Sequence, residues 1–431
     1  MQNLHQETLA THAGYNSQKE QNGAVAVPLY LSNAFDFGTS QTAAARFALQ
    51  ELGPIYSRLT NPTVDVFEAR VGALENAAGA ISASSGSAAI FYAIANIASA
   101  GDDIIISNKI YGGSTALLGN TLKNFGISAK IFDVENPSSL ESLIDAKTKA
   151  IFFESLSNPQ IAVANTQEIV KIADKHGIIT ITDNTVATPI LYQPLNHGVN
   201  VSVHSATKYI CGNGAVLGGV IASAKSTNQK LANNPRYPLF NEPEANYHGL
   251  VFANLVEHFD IFTIRIKTIL LRDIGASLSP FNAWQLIQGL ETLSVRIKAI
   301  SQSALKIAEF LSNTKGVKAV NYPGLKSSPY YEYVSKNFTD GLASGLISFE
   351  LESKELANEV VNSTELFRVI VNIGDSKSII THPASSTHSQ LDADGLKNAG
   401  ISAGLIRLSI GLENVDDLIL DLQKAFKKAK L

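Results

Sequence analysis

Two residues in the middle of the chain have the types and spacing for chemistry on an aldehyde cofactor. Lys208 ends the run VSVHSATK, a strand-like stretch that finishes in two hydroxyl side chains and an amine, and it stands 25 positions after Asp183, which closes another strand-like run. A lysine bonds covalently to an aldehyde only after its amine has lost its proton. An aspartate can keep a pyridine nitrogen protonated, so that the ring draws electrons. The pair predicts a pyridoxal phosphate site, and hence an enzyme.

A second stretch has the composition of a phosphate site. The run SSGSAAI, residues 84–90, precedes a segment of small and apolar residues typical of a helix. Backbone amides at a helix N-terminus favour anions. Small turns of this kind are common and most bind nothing, and the hydroxyls of Ser205 and Thr207 could equally cap the backbone beyond their strand. Their place in one predicted sheet with Lys208 and Asp183 favours the phosphate interpretation.

Any one of these residues has a more ordinary interpretation. A single lysine is most often solvated at the surface, and Asp183, before Asn184 and Thr185, could serve only as a turn or capping residue. Tyr111 follows a predicted strand, where its ring could stack on a planar cofactor, although a loop tyrosine more often packs. Asn158, before a proline, could form only a turn. The prediction therefore depends on the combination.

The elements that must position these residues alternate between strands and helices from about residue 80 onward. Short apolar, β-branched runs at 103–107, 129–133, 150–154, 178–183 and 216–223 read as strands, and helical periodicity fills the intervals. This pattern predicts βαβ units and a mostly parallel sheet, which makes the chain an α/β protein. Ligands of open α/β sheets gather beyond the carboxyl ends of the strands, where Asp183 and Lys208 both fall.

The two ends of the chain differ from this central part. Glycine and proline interrupt the first sixty residues, which predicts an extended arm with short turns. After about residue 265 a helical stretch at 292–311, a strand-like stretch at 343–351 and a final helix at 414–428 indicate a smaller α+β domain. We therefore divide the chain into an arm at 1–62, a cofactor-binding α/β domain at 63–265 and a C-terminal α+β domain at 266–431.

Composition excludes several classes of protein. The chain has 431 residues, 45% hydrophobic and 17% charged, and a net charge of −4, which argues against general binding of nucleic acid. Its one cysteine, Cys211, allows no intrachain disulfide. The N-terminal residues lack the pattern of a signal peptide, and no run reaches the roughly 18 apolar residues of a membrane helix. We expect a cytoplasmic protein that binds no membrane.

Five motifs carry a resemblance to a known family. They are YSRLTNPT at 56–63, ESLSNP at 154–159, DNT at 183–185, SATKY at 205–209 and RLSIG at 407–411. With these motifs in this order, nearly the whole chain resembles the Cys/Met-metabolism family of pyridoxal phosphate enzymes, most of all its O-acetylhomoserine sulfhydrylase branch. The resemblance implies fold type I of the PLP-dependent transferases, which is aspartate aminotransferase-like.

The resemblance also implies a role for each site residue. Lys208 holds the cofactor, Asp183 pairs with its ring nitrogen and Tyr111 stacks on its ring. Asn158 lies near the ring hydroxyl, and Arg407 binds the substrate carboxylate with Asn372 and Tyr56 nearby, a task that suits a planar guanidinium. The ordinary alternative for Arg407 is a surface ion pair. The residues implied at the cofactor phosphate are Gly86, Ser87, Ser205 and Thr207.

In this family the segment with Tyr56 and Arg58 reaches into the neighbouring subunit and contacts the phosphate there. An arm with that task explains the composition of the first sixty residues. We therefore expect a homo-oligomer, at least a dimer and by resemblance a tetramer, with an inactive monomer.

The reaction is not settled by fold and cofactor, since the family contains both lyases and synthases. Three stretches favour the sulfhydrylase, at 243–249, 271–283 and 372–388. The third contains His382 and His388, but no further ligand stands near them, so we predict packing of a substrate loop and no metal. The implied activity is conversion of O-acetylhomoserine and sulfide to homocysteine and acetate, in methionine biosynthesis.

In that reaction Lys208 would act as base and proton shuttle. Because a free lysine has a pKa of about 10.4, burial and nearby positive charge must lower it. Tyr111 or Tyr56 would assist as acid or base, and the sequence does not choose between them. Ser87, Val186 and residues 211–214 depart from the family pattern, which leaves open an acetyl or succinyl leaving group and sulfide, a thiol or cysteine as nucleophile.

Three competing functions share parts of this pattern. A methionine γ-lyase would use the same cofactor residues but end in elimination, and a cystathionine γ-synthase-type enzyme would use another nucleophile. A non-catalytic binding protein could keep the fold without the chemistry.

Overall fold

A seven-stranded sheet forms the centre of the molecule in the computed structural model, which describes residues 4–386 and 400–431. The strand order is β1-β7-β6-β5-β4-β2-β3, and all strands are parallel except β7, which runs antiparallel to both β1 and β6. The strands are β1 Gly79–Ala83, β2 Asp103–Ser107, β3 Ser128–Phe132, β4 Thr148–Glu154, β5 Ile179–Asp183, β6 Val201–Ser205 and β7 Gly219–Ser223.

Burial on both faces explains why the central strands of this sheet were visible in the sequence. Every residue of β4 and of β7 is buried, and sheets covered by helices on both sides produce continuous apolar runs. The predicted bounds hold to within one or two residues for β2 to β5. β7 begins at Gly219, three residues later than predicted. A Cβ at position 219 would stand 2.1 Å from the backbone oxygen of Ser85, so this close approach requires glycine.

The helices of the described residues cover the two faces of this sheet, connect it to the rest of the chain or lie in the C-terminal part. They are α1 Gln6–His12, α2 Ser40–Phe47, α3 Pro62–Glu75, α4 Gly86–Ala95, α5 Gly112–Gly119, α6 Thr166–Lys175, α7 Thr188–Leu191, α8 Lys225–Leu231, α9 Pro238–Asn241, α10 Ile261–Arg265, α11 Arg272–Ile274, α12 Pro280–Ser312, α13 Tyr331–Asn337, α14 Lys354–Ser363 and α15 Val415–Lys428. A π-helical segment, Ile266–Leu271, joins α10 to α11.

The glycines and prolines of the first sixty residues predicted an extended arm. The structure shows that this segment is not uniformly extended. They contain α1, which packs against α3 and α12 and buries Ala10, and the more exposed α2. Burial of a short apolar side against two longer helices stabilises α1 despite its length. Between and beyond these helices the arm leaves large apolar side chains in solvent, with Val25, Leu31 and Leu52 at least 70% exposed.

A second, smaller sheet lies in the C-terminal part of the chain. Its strands are β8 Ala319–Asn321, β9 Leu346–Glu350, β10 Arg368–Val369, β11 Ile379–Thr381 and β12 Leu405–Ser409, in the order β10-β11-β12-β9-β8. Helices α14 and α15 pack together here, and α12, which is twelve residues longer at its start than predicted, contacts α3, α15 and β9. The buried side chains of α12 thus belong to a core shared by the two parts of the chain.

The fold is the α/β architecture predicted from the sequence, with a mostly parallel sheet and a smaller C-terminal domain. Within the described residues, no helix is both long and apolar enough to cross a lipid bilayer.

Candidate active site

A cavity of about 220 Å³ opens at the carboxyl ends of β4, β5 and β6. It is lined by ten of the twelve site residues predicted from the sequence, drawn from parts of the chain as far apart as residues 86 and 407. These ten are Gly86, Ser87, Tyr111, Asn158, Asp183, Ser205, Thr207, Lys208, Asn372 and Arg407. The carboxyl ends of these strands therefore bring together the side chains that the predicted pyridoxal phosphate site requires.

Lys208 lies in the turn that follows β6, with its amide bound to the carbonyl of Ser205. Its Nζ donates a 2.7 Å hydrogen bond to Oδ1 of Asn372. Burial, and secondly the positive charge of Arg407, lower the pKa of Lys208 below its ordinary value. These are the two causes that the sequence argument requires for a lysine that must lose its proton.

Asp183 is the last residue of β5, and its Oδ1 accepts a 2.9 Å hydrogen bond from the amide of Thr185. Burial raises the pKa of Asp183. A cationic ring nitrogen beside this carboxylate would oppose that shift, because an opposite charge favours the ionised form. The residue fits the predicted partner of a protonated pyridine.

A buried cluster behind Asp183 was missed in the sequence. Nε2 of His204 lies 2.6 Å from Oε1 of Glu75, which also accepts hydrogen bonds from Ser202 and Asn184. The charge of His204 acts to lower the pKa of Asp183. His204 stands in the SVHSATK run, but its partner is 129 residues away, so spacing alone could not identify the pair.

Glu154 is a second missed residue, and it lines the cavity directly. It is the last residue of β4 and pairs in register with Asp183. Burial, together with the negative charge of Asp183, raises the pKa of Glu154. The signal available in the sequence was its place at the end of a predicted strand next to that of Asp183, within the ESLSNP motif.

The start of α4 and the end of β6 form a close cradle. Ser85 caps α4 through its side chain, which accepts from the amide of Ala88. The amides of Gly86 and Ser87 begin the helix and have no carbonyl of their own helix to bind. A Cβ at position 86 would stand 2.6 Å from Cβ of Ser205. This geometry fits a phosphate held against the backbone.

Thr207 has a structural role in this cradle. Its Oγ1 lies 3.2 Å from the carbonyl oxygen of Gly218, to which it donates, and accepts from the amide of Gly218 at 3.1 Å. Its hydroxyl thus ties the Lys208 turn to the residue before β7, as in the ordinary capping interpretation. The phosphate contact of Thr207 stays a prediction.

Arg407, on β12, is 4% exposed and points into the same cavity. Its Nη1 donates to Oδ1 of Asn158 at 2.8 Å, and its Nη2 donates to the carbonyl of Asn372 at 3.0 Å. Among the described residues its Nε is buried without a hydrogen-bond partner, and burial lowers the pKa of Arg407 to about 10. A buried guanidinium with a donor to spare fits a carboxylate ligand, and its burial excludes the surface ion pair.

Tyr111 immediately precedes α5, and its ring is half-exposed at the cavity. The ring packs over the backbone of Gly113, where a Cβ would stand 2.4 Å from Cε1 of Tyr111. An aromatic ring at the open side of the cavity fits a planar group.

Tyr56 and Arg58 do not line this cavity. Tyr56 is 42% exposed, and the guanidinium of Arg58 lies 5.5 Å from the centre of its ring. The site of one chain is therefore formed without these two residues, and their predicted roles remain to be tested on an oligomer.

The remaining sequence features have simpler surroundings. His382 is buried, with Nδ1 2.8 Å from Oγ of Ser385 and Nε2 2.8 Å from the carbonyl oxygen of Ala403, whereas His388 lies outside the described residues. Cys211 is buried and donates to Asn213, and Val186 lines the cavity. Across 4–386 and 400–431 no group of three or more His, Cys, Asp or Glu residues is placed to bind a metal.

Comparisons with known proteins identify the family of the chain. Residues 7–427 match the model of the Cys/Met metabolism PLP-dependent enzyme family. The chain is 40% identical to an O-acetyl-L-homoserine sulfhydrylase of Leptospira meyeri, over 99% of this chain and 97% of the relative. It is also 40% identical to an O-acetyl-L-homoserine sulfhydrylase of Corynebacterium glutamicum, over 97% and 96% of the two chains.

Two solved structures are similar to this chain over nearly its full length. A Campylobacter jejuni chain assigned as an O-acetylhomoserine (thiol)-lyase, crystallised with N'-pyridoxyl-lysine-5'-monophosphate, superposes with a TM-score of 0.96 at 52% identity, over 98% of this chain and 100% of the other. Cystathionine γ-lyase from Lactobacillus plantarum, complexed with L-serine, has a TM-score of 0.84 at 29% identity, over 99% and 100%. The chain belongs to the Cys/Met metabolism family of pyridoxal phosphate-dependent enzymes.

Proposed function

We propose that the protein converts O-acetylhomoserine and sulfide to homocysteine and acetate by γ-replacement, as a step of methionine biosynthesis. The observation that carries this proposal is the 40% identity, over nearly the full length of both chains, to two O-acetyl-L-homoserine sulfhydrylases. The cavity supports it, because it combines a lysine of lowered pKa with a buried arginine that has a donor to spare.

The residues of the chain divide the work as follows. Gly86, Ser87, Ser205 and Thr207 hold the cofactor phosphate, and Asp183 holds the ring nitrogen in its protonated form. Pyridoxal phosphate, when bound, supplies an electron-withdrawing ring that takes up charge from the α carbon of the substrate. Arg407 binds the substrate carboxylate and fixes the orientation of the α carbon toward Lys208.

Lys208 performs the proton transfers. With its pKa lowered, a larger share of its Nζ is neutral, and that amine removes the α proton, releases it within the site and then removes a proton from the β carbon. Loss of the β proton lets the Cγ–O bond break, so that acetate leaves with the bonding electrons, and sulfide then forms the new bond to Cγ. Tyr111 lies at the cavity and can assist as acid or base from the same chain, whereas Tyr56 could do so only from another copy.

The proposal extends to assembly and location. We propose a cytoplasmic homotetramer built from dimers, in which the arm of one subunit, residues 1–62, brings Tyr56 and Arg58 to the site of its neighbour. The absence of these two residues from the cavity of their own chain, and the exposed apolar side chains of the arm, support a shared site. We keep 63–265 and 266–431 as the two domains that enclose the site.

Product analysis with and without sulfide tests the reaction. We expect homocysteine from O-acetylhomoserine only when sulfide is present, and none from a Lys208→Ala variant. Parallel reactions with O-succinylhomoserine, methanethiol and cysteine define the leaving group and the nucleophile. Steady release of keto acid from methionine would instead identify a γ-lyase and contradict the proposal. A protein that binds no pyridoxal phosphate would identify the non-catalytic alternative.

A further inference from the structure

Glu154 is a buried carboxylate that contacts two separate parts of the site. It is 5% exposed and pairs in register with Asp183 on the neighbouring parallel strand, so both side chains point to the same face of the sheet. Its Oε1 accepts a 2.6 Å hydrogen bond from the amide of Tyr111, and its Oε2 accepts a 3.1 Å bond from the amide of Asn158. One side chain thus connects the loops after β2 and β4.

The position of Glu154 is costly. In the described part of the chain no cation acts on its carboxylate, and burial and the nearby Asp183 both raise its pKa. A buried acid without a counter-charge is destabilising unless hydrogen-bond donors replace the lost water. The amides of Tyr111 and Asn158 are the donors present. Acids with a strongly shifted pKa cluster at functional sites. The two amides that bind Glu154 therefore indicate which groups it holds in place.

Each of these amides belongs to a residue that faces the cavity. Tyr111 carries the ring proposed to stack on the cofactor, and its backbone marks the start of α5. Asn158 accepts from Nη1 of Arg407 through its Oδ1. A shift of either loop would therefore move the Tyr111 ring or the Arg407 guanidinium.

We propose that Glu154 is a positioning residue, which fixes the Tyr111 ring and the Arg407 guanidinium together by binding the amides of Tyr111 and Asn158. The inference rests on the proposed function for the identity of the ligands. It assigns Glu154 no contact with substrate and no proton transfer.

A Glu154→Gln variant tests this role while preserving side-chain size. Glutamine has one acceptor oxygen, so one of the two amides would face its NH₂ group and lose its bond. We expect an altered visible circular dichroism of the bound pyridoxal phosphate, a raised KM for O-acetylhomoserine, and a loss of about 100-fold in kcat/KM, the scale of a misplacement of about 1 Å.

Asp421→Asn is the matched control. Asp421 is also a buried carboxylate bound by backbone amides, those of Glu365, Leu366 and Phe367, but it lies on α15 away from the cavity. We expect Asp421→Asn to lower the melting temperature and to leave the dichroism and KM unchanged. Equal losses of melting temperature in both variants, with wild-type dichroism and KM in both, would overturn the proposal.

Double-mutant cycles separate positioning from a purely electrostatic effect on Asp183. If Glu154 acts through the two loops, Glu154→Gln changes the dichroism little in a Tyr111→Ala background and KM little in an Asn158→Ala background. An effect through the charge of Asp183 would be additive in both backgrounds, and that result would overturn the proposal.

A second variant and a binding measurement keep the test decisive. Glu154→Asp preserves the charge but is one methylene too short to reach both amides, so positioning predicts the same changes, and it replaces Glu154→Gln if that variant does not fold. Dichroism and the Kd of apo-protein for pyridoxal phosphate require no turnover. They therefore test the role of Glu154 even if wild-type protein forms no homocysteine, which would contradict only the proposed reaction.

Discussion

Nη1 of Arg407 donates a 2.8 Å hydrogen bond to Oδ1 of Asn158, and this contact joins the smaller sheet to the carboxyl edge of the larger one. The same arginine binds the carbonyl of Asn372, whose Oδ1 accepts from Nζ of Lys208. Hydrogen bonds through Asn372 therefore connect Arg407, the proposed carboxylate ligand, to Lys208, the proposed base. Asn158 is bound to the same arginine. A substrate that binds Arg407 must compete with these partners.

Asn158→Asp should weaken binding of the substrate. The new carboxylate would pair with Arg407 in place of a neutral amide oxygen, and charge-assisted hydrogen bonds contribute about 1.5–3 kcal/mol. We expect KM for O-acetylhomoserine to rise by roughly 10- to 100-fold. Asn165→Asp is the control, because aspartate caps a helix as well as asparagine and α6 is remote from the cavity. An unchanged KM in Asn158→Asp would argue against Arg407 as the carboxylate ligand.

Gly113→Ala should displace the ring of Tyr111, since the added Cβ would stand 2.4 Å from its Cε1. We expect reduced kcat/KM and an altered visible absorption of bound pyridoxal phosphate. Gly119→Ala, at the other end of the same helix, meets nothing within 4 Å, and should keep full activity with slightly greater stability, by about 0.5–1 kcal/mol. Equal spectra and activity for the two variants would show that the Tyr111 ring has no fixed position at the cofactor.

Uptake of the cofactor should depend on pH through Lys208. Because burial and Arg407 lower its pKa, the neutral amine is populated at a lower pH than in free lysine, and covalent uptake should rise with pH through a midpoint below about 10.4. Arg407→Gln removes the positive charge and should move that midpoint upward. Rates of the absorbance change on mixing apo-protein with pyridoxal phosphate measure both midpoints. Identical midpoints would exclude Arg407 as a cause of the shift.

Arg58→Ala should weaken retention of the cofactor if the site is shared between subunits, whereas Lys424→Ala, which removes an exposed cation from α15, should not.

Mixing of variant subunits tests directly whether the site is shared between subunits. Arg58→Ala subunits, with weakened cofactor retention, should gain retention and activity when refolded with inactive Lys208→Ala subunits, because a hybrid dimer contains one site with both native residues. Mixing Arg58→Ala with the double variant Arg58→Ala/Lys208→Ala provides no such site. Absence of recovery in the first mixture would contradict the shared site.

The sequence predicted most of the fold because the central strands are buried on both faces. Runs such as 103–107 and 150–154 are apolar throughout, and their order among helices leaves few topologies. The helix α1 was not predicted, since its stability comes from packing against α3 and α12 and not from its own seven residues.

The grouping of residues around the cavity was predicted where chemistry or a family motif fixes residue types, as at Lys208, Asp183 and Arg407. Residues that act through position left weaker signals. The sequence signal for Glu154 is its place at a strand end beside Asp183, which does not reveal the two amides that it binds. Glu75 contacts His204 across 129 residues, and spacing alone does not reveal that pair. The roles proposed for Tyr56 and Arg58 require a second copy of the chain, so the structure of one chain does not test them.

The proposed function depends above all on Lys208 as the residue that holds the cofactor. Reduction of the purified protein with borohydride in the presence of pyridoxal phosphate, followed by digestion and peptide mapping, should place the pyridoxyl label on Lys208. A label on another lysine, or none on Lys208, would contradict the central assignment.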